Sequence, residues 1–345
     1  MIGDVLTSSI LFEALRDRYP KAQLHYLVYE HTTPVLKNNP NIDQLILFNP
    51  KDHRSKLGLF QLIKQVRDEK YDVVIDVYSK INSAAITCFS GAPNRISYKK
   101  WYTGLAYTKT YEKLKKAKTS AGLAIENRLQ FLQALDKDFS NNIKPKIYLT
   151  QAEKDKARYL LHQYNIDTNQ PVCMISILGS SEEKSYPKLF MAEILNYIAE
   201  YEPIQILLNY IPNQIEDVNA IFNLCKPETQ KQIVLNFYAK SLREFLAVTS
   251  HCQAVIGNEG GAINMAKALN IPTFAIFSPA LNKENWNMFE DGDKAVSIHL
   301  KDYKPKLFKA KDKKELRKEN VNLYQQFEPD LIKTQLEQFL QSNMR

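Results

Sequence analysis

Apolar positions along the chain alternate between two periods. Val5, Leu6, Ile10, Phe12 and Leu15 recur near helical spacing and predict a helix over Val5–Arg18, with Asp4 standing where an N-cap belongs. Short apolar runs predict strands over Gln23–Tyr29, Gln44–Phe48, Tyr71–Val77 and Arg95–Tyr98, separated by helices that include Leu57–Glu69, Asn82–Ser90 and Ile125–Ala134. The run Tyr71-Asp72-Val73-Val74-Ile75-Asp76-Val77 has the continuous apolar character of a strand buried on both faces of a parallel sheet.

A second alternating series begins near residue 150. Helices over Ala152–Tyr164, Leu189–Glu200, Asn213–Cys225 and Leu242–Thr249 are interleaved with strands Val172–Ile177, Ile204–Leu208, Ile233–Leu235 and Ala254–Ile256. Two βα series of this length predict an α/β protein with two Rossmann-like domains facing a cleft, 1–150 and 151–328. The amphipathic tail Pro329–Ser342 is expected to fold back onto the first domain. Because the first series opens on a helix, either its strand order is unusual or the natural start lies about ten residues upstream; the latter is the expectation here.

Three of the 10 glycines fall in Val255-Ile256-Gly257-Asn258-Glu259-Gly260-Gly261-Ala262, between a strand and a helix that opens at about Ala262. Small residues at a helix N-terminus let a ligand approach the backbone, and the unpaired N–H groups favour a phosphate. A tight turn in an ordinary Rossmann-like domain would use the same glycines.

Composition narrows the class. With 345 residues, 44% hydrophobic and 24% charged, the chain is globular and long enough for two cores. No apolar stretch reaches the ~20 residues of a membrane span, and Asp4, Glu13, Arg16 and Asp17 interrupt any secretory signal, so a soluble cytoplasmic protein is expected. Cys88, Cys173 and Cys252 lie in or beside apolar runs as expected buried thiols, and neither the cysteines nor the six histidines have metal-site spacing. The net charge of +8, with lysines clustered over Lys113–Lys118 and from Lys301 to Lys318, favours anionic partners such as acidic headgroups or phosphorylated glycans. No nucleic-acid module accompanies it, and no nucleic-acid partner is expected.

Several motifs together resemble glycosyltransferase family 9, the ADP-heptose:lipopolysaccharide heptosyltransferases. They are Ile2-Gly3-Asp4-Val5-Leu6-Thr7, the Tyr71–Asp76 strand, Ser241-Leu242-Arg243-Glu244-Phe245, and Gly257-Asn258-Glu259-Gly260-Gly261, in that order along nearly the whole chain. The resemblance implies a GT-B architecture whose second domain binds a nucleotide-diphosphate sugar, and whose first binds a lipopolysaccharide core or another anionic glycolipid at the inner membrane surface. It implies inverting transfer without a metal or cofactor.

Site residues carry over position by position. Asp4 matches the candidate base, with Gly3 beside it, and Lys184 matches the lysine that contacts the diphosphate. Ser180, Ser181, Glu216, Asn258, Glu259, Gly260, Gly261, Ala262 and Asn264 fall at donor-binding positions, and Arg95 at an acceptor-side landmark. Glu259, Gly260, Ala262 and Asn264 replace the usual Asp, Thr, Pro and His. These departures leave the backbone donors in place but alter the side chains that would recognise the sugar. The alternative reading is a catalytically weak sugar-nucleotide-binding or assembly protein of the same fold.

Overall fold

The structure is a computed structural model, and it describes every residue except Met1, Arg54, Lys137, Asn141, Ala310 and Arg345. The chain divides into two compact units, Met1–Pro145 with Glu284–Met288, and Lys146–Lys283 with Phe289–Arg345. No helix among the described residues is long and apolar enough to cross a membrane.

The first unit carries strands β1 (His25–Tyr29), β2 (Gln44–Phe48), β3 (Val73–Asp76), β4 (Asn94–Tyr98) and β5 (Lys109–Tyr111). All pairings are parallel, but they form two separate sheets, β1-β2 and β3-β4-β5. A cavity of about 2530 Å³ lies in this unit, lined by residues of β1 and β3 (His25, Leu27, Val73, Ile75) and of the first helices (Leu11, Leu15). The Val73–Asp76 strand is therefore only partly buried, where the sequence predicts burial on both faces. Val73, Val74 and Ile75 of this strand are among the residues that line the cavity.

The predicted Val5–Arg18 helix is two helices, Ile2–Ser8 and Ile10–Arg18. The break follows from Thr7, Ser8 and Ser9, whose hydroxyls donate back to the carbonyls of Gly3, Asp4 and Leu6. Hydroxyls bonded to the preceding turn compete with the helical ladder and bend it.

The second unit is one parallel five-stranded sheet built from β6 (Val172–Ser176), β7 (Gln205–Asn209), β8 (Ala254–Asn258), β9 (Thr273–Ile276) and β10 (Ala295–Ile298), in the order β10-β9-β8-β6-β7. β6 and β8 are buried at every position, as expected for central strands covered by helices on both faces. The predicted strand Ile233–Leu235 reduces to a single bridge between Ile206 and Ile233.

The tail helix Asp330–Asn343 belongs to this unit, which corrects the expectation that it packs on the first domain. Ile332, Leu336, Phe339 and Leu340 are buried in the same core as Ile194, Ile198 and Phe274, and the Phe274 and Phe339 rings lie 5.6 Å apart. The apolar stripe read from the sequence is real; only its partner differs. Cys88 is likewise exposed rather than buried, whereas Cys173, Cys225 and Cys252 are buried.

Candidate functional site

In the second unit, three strand ends on one edge of the sheet gather the predicted donor residues. β8 runs into Glu259 and Gly260, and the helix Gly261–Ala268 follows at once. Gly260 caps that helix and offers no side chain to its first-turn N–H groups. These groups have no intrahelical acceptor and present a ready anion site. Gly261 is exposed, Ala262 is buried and Asn264 is partly exposed on the helix.

Gly257 makes the turn possible. Its φ is +126°, and a Cβ there would sit 2.4 Å from the Ser176 carbonyl oxygen of the neighbouring strand. Gly257→Ala is expected to cost about 3 kcal/mol through strain and lost pairing, lowering the thermal midpoint by about 6–12 °C in a calorimetric scan. A variant as stable as wild type would show that the strands have room to separate.

Asn258, expected to contact a ligand, is enclosed and used internally. Its Oδ1 accepts from the Tyr186 N–H at 2.7 Å, and its amide donates to the Ser176 and Ile177 carbonyls at 3.0 and 2.9 Å. This side chain ties the end of β6 to the loop that carries Lys184. That assignment is corrected from ligand contact to loop fastening, because a fully buried amide with these partners does not face solvent.

The loop after β6 holds Ser180, Ser181 and Lys184, all exposed. Gly179 starts it; a Cβ there would meet the Lys184 carbonyl oxygen at 2.4 Å, so the loop folds back tightly on itself. Ser185 Oγ accepts from the Gly179 N–H at 2.9 Å and donates to the Ser181 carbonyl at 2.9 Å. Asn320, which no sequence signal marked, pins the same loop from outside: its amide donates to the Glu183 carbonyl, and its Oδ1 accepts from Ser278 Oγ at 3.1 Å.

Burial pushes the Glu259 carboxyl up from its ordinary value, and the Lys184 ammonium pulls it the other way. The two charges therefore share one local field. Burial also raises the Tyr324 hydroxyl, with the Glu259 carboxylate adding to that rise. Glu216 lies exposed in the first turn of the helix Ile215–Leu224, which follows β7.

The Ser241–Phe245 motif is structural. Ser241 caps its helix by accepting from the Glu244 N–H, and Arg243 grips Glu153 through two hydrogen bonds of 2.8 and 2.7 Å. The guanidinium holds the Glu153 carboxyl down at about 2.

In the first unit, Asp4 lies in the first turn of the helix Ile2–Ser8, next to Gly3, with its side chain 42% exposed. Arg128 Nη2 donates to Asp4 Oδ1 at 3.1 Å, Nε donates to Ser8 Oγ at 2.8 Å, and Nη1 donates to the Ala124 carbonyl at 2.7 Å. Three acceptors thus fix a nearly buried guanidinium against the predicted base. Arg128 is 124 residues away along the chain, so no local pattern could reveal it.

Burial lowers the Lys113 ammonium, and the positive charges of Lys100, Arg128 and Lys80 lower it further while Asp4 opposes them. Lys80, Lys100, Lys113 and Arg128 are therefore close enough to act on one another, with Asp4 among them. Arg95, expected on the acceptor side, donates to the carbonyls of Ala106 and Ala92 at 2.9 and 2.7 Å. These bonds brace the turn around residues 104–106.

Two units with parallel sheets and intervening helices, one of them carrying a glycine-capped helix N-terminus, have the architecture of the GT-B class. Over residues 59–316 the chain matches the family described as glycosyltransferase family 9 (heptosyltransferase), and it belongs to that family. It is 23% identical over 297 residues to lipopolysaccharide heptosyltransferase 2 of Escherichia coli K12, covering 81% of this chain and 80% of that protein. Its fold is similar to the crystal structure of a family 9 glycosyl transferase from Veillonella parvula, with a TM-score of 0.75 at 18% identity, covering 94% and 95% of the two chains. It is also similar to the E. coli heptosyltransferase WaaC with ADP, at TM-score 0.62, 16% identity and coverage of 98% and 96%.

Proposed function

We propose that this glycosyltransferase moves a heptose, or a related sugar, from a nucleotide-diphosphate donor to a lipopolysaccharide core acceptor, with inversion and without a metal, working peripherally at the inner membrane surface. The observation that carries the proposal is the glycine-capped helix Gly261–Ala268 in the same unit as the Lys184 loop, whose charge is felt at Glu259. Amide donors and an ammonium are the groups that stabilise a departing diphosphate. In the first unit, the cationic surroundings of Asp4 suit a phosphorylated or carboxylated acceptor.

In the proposed step, the acceptor hydroxyl oxygen attacks the anomeric carbon as the bond to the diphosphate oxygen breaks. The hydroxyl proton passes to the Asp4 carboxylate, and the departing negative charge is taken up by Lys184 and the amides of Gly261 and Ala262. Ser180 and Ser181 add exposed hydroxyls to the diphosphate site. Glu259 accepts a sugar hydroxyl, and Asn264, Gly260 and Glu216 border the donor.

A thermal-shift series with nucleoside diphosphates in the presence of a chelator tests the donor side. ADP at a hundredfold excess over its dissociation constant is expected to stabilise the protein by about 2.7 kcal/mol, visible as a rise of several degrees. ADP-heptose with a heptose-deficient lipopolysaccharide core should then release ADP under the same conditions. Absence of a shift with every nucleotide would remove the sugar-nucleotide reading. Binding without ADP release would favour the catalytically weak alternative.

A further inference from the structure

The first unit exposes a group of large apolar side chains on two neighbouring turns. Trp101 is 95% exposed, Leu105 is fully exposed and Ile81 is 71% exposed, with Tyr78 and Tyr102 beside them. Scattered exposed apolar residues need no explanation, but a contiguous group does. Contiguity here is structural: Ala84 of the helix Ile81–Phe89 packs with Ala106 and Tyr107, the Lys100 ammonium donates to the Ser79 carbonyl, and the Trp101 and Tyr102 rings lie 5.6 Å apart.

The turns are also stiff. The buried Asp76 carboxylate accepts from the Ser79 N–H at 2.7 Å through Oδ1 and from the Tyr107 hydroxyl at 2.7 Å through Oδ2. One side chain thereby clamps the turn bearing Tyr78 and Ile81 to the turn bearing Trp101 and Leu105. Arg95 holds the second turn from below through the Ala106 carbonyl. A fraying loop would not need a buried carboxylate and a guanidinium to hold its apolar side chains outward.

Charge identifies what covers them. Residues 99–118 hold seven lysines against one acid, Glu112. Lys80 and Lys100 flank the exposed rings directly along the chain. Tryptophan and tyrosine prefer the membrane–water boundary, where one end of the ring is dry and the other wet. Lysines beside them gain from anionic headgroups, and their stems lie along the apolar boundary.

We propose that the Tyr78–Ile81 and Trp101–Leu105 turns form a docking face that seats the first unit on an anionic lipid bilayer. Indole and leucyl side chains enter the headgroup boundary, and the surrounding lysines meet the lipid phosphates. Two weak signals act together here, because neither a few apolar side chains nor a few lysines hold a protein stably on a membrane. The proposal concerns the bilayer rather than the reaction, and its test needs neither donor nor acceptor. The face rests on the peripheral part of the proposed function and shares Lys80 and Lys100 with the surroundings of Asp4; its failure would remove that part and leave sugar transfer standing.

Sedimentation with vesicles of phosphatidylglycerol and phosphatidylcholine, against vesicles of phosphatidylcholine alone, tests it. The expected result is binding to the anionic vesicles that weakens at least about tenfold in 0.5 M salt. Trp101→Ala/Leu105→Ala should lose about tenfold or more in anionic-vesicle binding at unchanged circular dichroism and thermal midpoint, since both side chains are exposed. In a Trp286→Phe background, Trp101 emission should move to the blue on adding anionic vesicles. No vesicle binding by wild type, or equal binding by the double variant, would overturn the proposal. So would a wild-type dimer in sedimentation velocity that the double variant abolishes without any vesicle binding, which would assign the face to self-association.

Discussion

Asp4→Asn is expected to lower kcat for sugar transfer by about 10²–10⁴-fold while leaving nucleotide-diphosphate binding unchanged. The amide keeps an oxygen that can accept from Arg128 Nη2, so the arginine retains a partner at this position. It has no basic lone pair to take the acceptor proton. Because Asp4 is 42% exposed and lies on the surface of its helix, the thermal midpoint should move by no more than about 2 °C. Initial rates of nucleotide release, with the midpoint measured on the same preparation, give the answer. A kcat within threefold of wild type would remove Asp4 as the base and assign its carboxylate to holding Arg128.

Lys184→Ala is expected to reduce kcat/KM for the donor by about 10²–10³-fold, the scale for removing one preorganised group that stabilises developing charge. The side chain is exposed on a tightly folded loop, so its loss should not unfold the second unit. With the ammonium removed, nothing opposes the burial that already pushes the Glu259 carboxyl up, and its titration should move further upward. The acid limb of the pH profile should follow it. Lys184→Arg should recover part of the rate by restoring the charge. Equal kcat/KM for Lys184→Ala and wild type would show that the helix amides alone hold the diphosphate.

The two variants test the proposed roles of the two units separately. Asp4→Asn removes a proton acceptor and should spare the donor. Lys184→Ala removes charge stabilisation and should weaken both nucleotide binding and turnover. The substituted signature adds a third comparison. Glu259 and Asn264 stand where the family pattern has Asp and His, while Gly261 and Ala262 contribute backbone donors whatever their side chains. Restoring Glu259→Asp should therefore change which sugar is preferred more than it changes affinity for the bare diphosphate.

Much of the architecture was legible along the chain because it depends on local periodicity. The central strands β6 and β8 and the helix Gly261–Ala268 are legible to within a few residues at their ends, since each combines an apolar run with a turn signal. The amphipathic tail was recognised for the same reason. Its docking partner was not, because an apolar stripe states that a face is buried and not against which core. β5 and β10 escaped notice: they are short, and β5 is only partly buried, so its residues carry little apolar signal.

The candidate site divides along the same line. By itself, the sequence determined the residue types at the chain's own turns: an aspartate at a helix start, a lysine after a buried strand, and glycines ahead of a helix. Each is a short-range pattern whose physical requirement is met within a few residues. Tertiary structure alone decided which side chains surround them. Arg128 reaches Asp4 across 124 positions, Asn320 secures the Lys184 loop from the far end of its unit, and Asn258 and Arg95 hold loops. Hydrogen-bond partners are selected by proximity in space and by the need to satisfy every buried polar group, and neither constraint is written in the order of residues along the chain.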